Sequence, residues 1–146
     1  ALTAGFYVLE LIDRLVGERE SVPRVYAGAC WTLDRLRDGQ PAPEIVLRQF
    51  EHLLLEELGY GLDFARDAAR DEPIDAEAYY WFEPGTGFVR APGAAPHAYP
   101  GHVLNAIAAA DYDSRAVRVA AKRISRRALA VLLGPAIPRR RRGAEA

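Results

Sequence analysis

The stretch "PEIVLRQFEHLLLEELGYG", residues 43 to 61, limits most sharply what this chain can fold into. Val46, Phe50, Leu53, Leu54 and Leu58 recur every three to four residues, and Leu47 and Leu55 widen the apolar stripe beyond what a surface helix carries. Pro43 suits the first turn and Gly59 the stop. A helix this apolar has to be covered on several sides, so it predicts the centre of a helical core.

The flanking segments supply partners for it. Thr3 is a ready cap for a helix reaching Val16, with Phe6, Leu9, Ile12 or Asp13, and Val16 as its apolar positions and Gly17 closing it. "SVPRVYAGACWTLDRLRDG" repeats the pattern: Pro23 opens it, Val25, Ala29, Leu33 and Leu36 share a face, and Gly39 follows its end. The single cysteine, Cys30, falls in this apolar stretch and reads as core packing, with a reducing, cytoplasmic setting as the corollary.

Between Gly61 and Gly101 the helical period disappears and Pro73, Pro84, Gly85, Gly87, Pro92, Gly93, Pro96 and Pro100 accumulate. Within that stretch, "AYYWFEPGTGFVR" predicts a hairpin that pairs Tyr79–Phe82 with Phe88–Arg90. Base stacking is open to the aromatic run Tyr79, Tyr80, Trp81 and Phe82, although such residues more often cover a sheet face. Helix returns over 101 to 110 and again from Ser114, a ready N-cap, to Gly134. The expected fold class is therefore mainly α, a small helical domain of about five helices with a short β-hairpin insertion at about 62–100. The domain spans 1–134, and residues 135–146 form a basic tail that composition predicts to be disordered. The chain lacks Met and opens directly on a helical pattern, which suggests a piece of a longer polypeptide.

Charge is divided along the chain. Residues 1 to 114 hold nine arginines against nineteen carboxylates, a net of −10; residues 115 to 146 hold ten cations against Glu145, a net of +9. In the last helical segment Val117, Ala120, Ala121, Ile124, Ala128, Val131 and Leu132 fall on one side. Arg115, Arg118, Lys122 and Arg126 line the other, flanked by Arg123 and Arg127, and Arg139, Arg140, Arg141 and Arg142 follow. Like charges at helical spacing cost about 0.2 to 0.5 kcal/mol per pair. An anionic partner would offset that cost. Phosphate suits the planar guanidinium fork, and an acidic peptide suits the same ridge. Carboxylates from the first 114 residues, or plain solvation of the face, would account for the ridge without a partner.

Catalytic and metal signatures are missing from the sequence. His97 and His102 have no Cys or helical carboxylate pair to complete a ligand set, so neither a metal nor a cofactor is expected. His52, between Glu51 and Leu53, reads as a partly exposed helix residue rather than a general base. A membrane-spanning run of eighteen apolar residues does not occur.

Taken in order, "LTAGFYVLELIDRLVGERE", "RQFEHLLLEELGYGLDFARDA", "YYWFEPGTGFV", "GHVLNAIAAADY" and "AAKRISRRALAVLLGPAIPRRR" resemble the C-terminal helical region of the RecO family of bacterial DNA repair and recombination mediators. The most specific piece is the pattern from Arg48 to Asp63. The resemblance implies a non-enzymatic protein of the RecF pathway that binds and anneals single-stranded DNA, pairs with RecR, contacts the acidic tail of the single-strand-binding protein and helps load RecA. The family's N-terminal OB-fold has no counterpart here. Where many members carry four zinc-binding cysteines, this chain has Asp67 and Arg70 near the first two positions and lacks the later pair, so no zinc is expected. The family's basic ending is also altered, to Pro135, Ala136, Ile137 and Pro138 before the arginines.

Overall fold

The structure, a computed structural model, describes residues 2–16 and 23–133. Its elements run α1 (Leu2–Val16), α2 (Pro23–Asp38), α3 (Pro43–Glu57), β1 (Arg66–Asp67), β2 (Glu72–Pro73), β3 (Tyr79–Glu83), β4 (Gly87–Ala91), β5 (Tyr99–Pro100), α4 (Gly101–Ala108) and α5 (Arg115–Leu133). The described residues divide into two compact units, one of those up to 61 together with 129–133, the other of 62–128.

In the first unit α3 is the centre, as its wide stripe predicts. Val46, Leu47, Phe50, Leu54 and Leu55 are buried, each contributing roughly 1.5–3 kcal/mol by leaving water. Arg48 and Glu51 are buried with them, 3% and 0% exposed, so α3 is enclosed on its polar positions too. Arg48 Nε donates to Glu51 Oε1 at 2.5 Å, and the Tyr7 hydroxyl of α1 donates to the other carboxylate oxygen. The helix ends on a Schellman turn, with the Tyr60 N–H on the Leu55 carbonyl and Gly59 at φ 88.

Three expectations about this unit are corrected. The buried face of α1 is Ala4, Tyr7, Val8, Leu11 and Ile12, whereas Phe6 and Leu9 are 63% and 51% exposed. Thr3 lies inside the helix rather than capping it. In α2 the buried positions are Val25, Ala29, Thr32 and Leu36, and Cys30, one residue past Ala29, is turned to solvent. A helix advances about 100° per residue, which is enough to carry Cys30 off the buried stripe.

The insertion, in the second unit, is more than a hairpin. The expected pair is present, with Tyr80 opposite Arg90 and Phe82 opposite Phe88. Its turn closes with the Thr86 N–H on the Glu83 carbonyl at 3.0 Å, Pro84 second and Gly85 third at φ 85, the residue pattern of a type II turn. Three two-residue strands extend it into a five-stranded mixed sheet of order β2-β1-β4-β3-β5, with β1 parallel to β4 and the other pairs antiparallel. Both edge strands are short and carry a proline, Pro73 and Pro100, which discourages further pairing. One sheet face is sealed by Phe64, Phe82 and Phe88, whose neighbouring ring centroids are 5.2 Å apart.

β5 passes directly into α4 at a tight junction. The Gly101 N–H bonds to the Ala78 carbonyl at 2.7 Å, and a Cβ at Gly101 would stand 1.9 Å from the Asp75 carbonyl oxygen. Only glycine fits there. α4 ends at Ala108 with Ala109 as its C-cap, and Ala110 follows at φ 56. Ser114 then caps α5, its Oγ accepting from the Ala116 N–H at 3.2 Å, as expected from the sequence.

Candidate nucleic-acid interface

α5 is amphipathic for a reason visible in its burial. Val117, Ala120, Ala121, Ile124, Ala128 and Leu129 are buried, while Arg115, Lys122, Arg123 and Arg127 are exposed and Arg118 and Arg126 half-buried. Val131 departs from the expected apolar side and is 57% exposed. Ser125 is buried between Ile124 and Arg126.

Five of the six expected cations on this helix line one open groove of ≈ 1360 Å3, which lies wholly within the second unit: Arg115, Lys122, Arg123, Arg126 and Arg127. The remaining lining comes from His97 to Pro100 and Val103, with Ala116, Val119 and Ala120 of α5 adding apolar surface. No described Asp or Glu lines it.

Arg118 does something different. Its Nη1 donates to the Tyr112 and Asp113 carbonyls, both at 2.7 Å, so the guanidinium ties the α4–α5 connection to the first turn of α5. Arg127 is held in the groove by a 3.3 Å bond to the Phe82 carbonyl, with its guanidinium 5.8 Å from the centre of the Phe82 ring. Among the described residues, no carboxylate is within ion-pair distance of Arg115, Arg118, Arg123 or Arg127, whereas Arg24 pairs with Glu57 at 3.0 Å and Arg66 with Asp71 at 2.9 Å. Arg139, Arg140, Arg141 and Arg142 lie outside the described residues.

Tyr99 of β5 sits on the groove wall. Partial burial pushes its phenol above the usual tyrosine range, against a smaller opposing pull from Arg123 and Arg127. It therefore presents a neutral ring and hydroxyl to the groove at neutral pH. Nothing in the sequence signalled His97 or Tyr99 as groove residues, because their stretch lacks any period longer than two residues.

The positions of the family's zinc cysteines do not fit a metal here. Asp67 is 2% exposed and its Oδ1 already accepts the N–H groups of Ala69 and Arg70, at 2.9 and 3.1 Å. Arg70 brings a cation where a ligand would stand. Among the described residues no group of three or more His, Cys, Asp or Glu is placed to hold a metal ion. The aromatic run is divided by strand alternation: Tyr80 and Phe82 are buried, whereas Tyr79 and Trp81 are half-buried, the Trp81 indole donating to the Pro96 carbonyl at 3.1 Å. His52 is half-buried in the other unit, its imidazole pushed down to about 4 by desolvation, with Glu51 opposing and Arg48 adding to the shift.

The geometry defines a helical protein with a cationic groove that also carries apolar lining; among the described residues no helix is long and apolar enough to cross a membrane. The family described as "Recombination protein O C terminal" matches residues 1–141, and the chain belongs to it. It is 38% identical over 136 residues to the DNA repair protein RecO of Cellvibrio japonicus, covering 92% of this chain and 57% of that protein. The RecO of Pseudomonas putida strain W619 is 40% identical over 135 residues (92% and 59%), and that of Tolumonas auensis 38% over 134 residues (91% and 56%). The chain thus spans less than three fifths of the length of these relatives.

Proposed function

We propose that this chain is the C-terminal helical part of a DNA repair and recombination mediator of the RecF pathway, and that the α5 groove holds the phosphates of single-stranded DNA. In this reading the protein anneals single strands and, with RecR, helps load RecA on DNA coated by single-strand-binding protein. It carries no catalytic step. The observation that supports it is the groove itself: five cations converge on one surface that no described carboxylate shares. Each phosphate neutralised there releases counterions, which favours binding regardless of base sequence.

A second reading is favoured by the apolar floor. Val103, Val119 and the alanines of α5 lie beside the cations, a combination suited to an acidic peptide carrying apolar side chains, such as the acidic tail of the single-strand-binding protein. The chain would then be an interaction module without DNA binding of its own. Calorimetry separates the two. An oligothymidylate that binds, and that is displaced when Arg115 and Arg123 become glutamate, supports the DNA reading; binding of the acidic peptide with no binding of the oligonucleotide favours the module.

A further inference from the structure

We infer that His97 is a proton-linked phosphate contact of the groove, an imidazole that takes up a proton as the anionic strand binds and makes binding tighter below neutral pH than above it. The inference rests on the nucleic-acid reading and adds a binding residue that the cationic helix does not contain.

His97 is exposed and lines the groove beside Tyr99, on the stretch that leads into β5. Its backbone is in the left-handed region, φ 64, fixed by a turn in which the Ala98 N–H bonds to the Ala95 carbonyl at 3.1 Å. A non-glycine residue in that conformation is costly, and such residues persist where the surroundings hold them in place. Here the turn holds an imidazole on the wall of a groove whose other charges are all positive.

The chemistry of the neighbours singles His97 out. The other cationic lining comes from Arg115, Lys122, Arg123, Arg126 and Arg127, side-chain types that do not change charge near neutral pH. Tyr99 is neutral there, and no described carboxylate lines the groove. Imidazole is then the one lining group whose charge changes between pH 5 and 8. A bound phosphate accepts an imidazolium N–H and its charge favours the protonated ring, so protonation and binding favour one another. Affinity is therefore greater at acid than at alkaline pH, changing by at most about tenfold per pH unit for one proton. His102 is exposed on α4 but does not line the groove, and His52 belongs to the other unit.

The test is fluorescence anisotropy of an oligothymidylate without terminal phosphate, whose charge is constant between pH 6 and 8, at fixed ionic strength. The unmodified chain should bind about fivefold more tightly at pH 6 than at pH 8. His97→Asn, which tolerates the left-handed backbone, should bind weakly and equally at both, and His97→Lys equally and more tightly. His102→Asn should keep the original dependence. A pH-independent parent, or a dependence that survives His97→Asn, would overturn the inference while leaving the DNA reading intact. Absence of oligonucleotide binding at every pH would overturn both.

Discussion

Arg48 and Glu51, one helical turn apart on α3, form an ion pair of 2.5 Å inside the first unit, with side chains 3% and 0% exposed. These residues open and close the "RQFE" that begins the family-like pattern, so the most recognisable stretch of the sequence is a buried polar network, completed by the Tyr7 hydroxyl. Breaking such a pair strands a charge in the core. Glu51→Ala should cost about 3–5 kcal/mol in urea unfolding, while Arg48→Met with Glu51→Leu should recover most of the loss. A double variant no more stable than Glu51→Ala would show that the pair is needed for more than its own compensation.

His52, next in sequence to that carboxylate, makes the first unit acid-sensitive. Its folded value of about 4 lies below the ordinary 6.5, so the unfolded chain binds the proton more readily. Its neutral form contributes full stability above 6.5, and that contribution is lost as pH falls from 6.5 towards 4. Discounted for partial exposure, the loss is about 2 kcal/mol. Thermal melts of the protein and of His52→Gln across pH 7 to 4.5 check it: the variant should lose less on acidification.

Asp67 organises the turn after β1 with its own backbone contacts rather than a bound ion. Asp67→Ala should destabilise by about 2 kcal/mol because two N–H groups lose the buried carboxylate that accepts them, and Asp67→Asn should be milder. Melting with and without a strong chelator should give the same midpoint. A chelator-dependent shift would contradict this account of the insertion.

How much of this was legible follows from the length and one-sidedness of each signal. The hairpin was readable because a five-residue alternation flanks a Pro-Gly turn, and α5 because its cations and apolar residues segregate cleanly. β1, β2 and β5 were not, since two residues carry no period. α1 misled because it has apolar residues on both sides: Phe6 and Leu9 match the helical repeat as well as Tyr7, Val8 and Leu11 do, and only packing decides. The α5 wall of the groove was visible in the sequence. The wall from His97 to Pro100 was not, because the sheet that brings it there is made of pairings distant in the chain.

Arg118 and Arg123 look equivalent in sequence but are separated by their contacts. Arg118 satisfies two backbone carbonyls outside the groove lining, so Arg118→Ala should cost about 1 kcal/mol of stability and leave oligonucleotide affinity nearly unchanged. Arg123→Ala should do the reverse, with an unaltered melt and weaker binding. Paired melting and anisotropy measurements on the two variants check the distinction.

The most direct measurement of the central claim is the salt dependence of oligothymidylate binding by the parent chain and by Arg115→Glu with Arg123→Glu. A groove that neutralises phosphates predicts a log–log slope that becomes shallower by about 0.7 for each phosphate no longer neutralised, so by about 1.4 in the double variant, with weaker affinity at every salt concentration. An identical slope and affinity in the two proteins would contradict it.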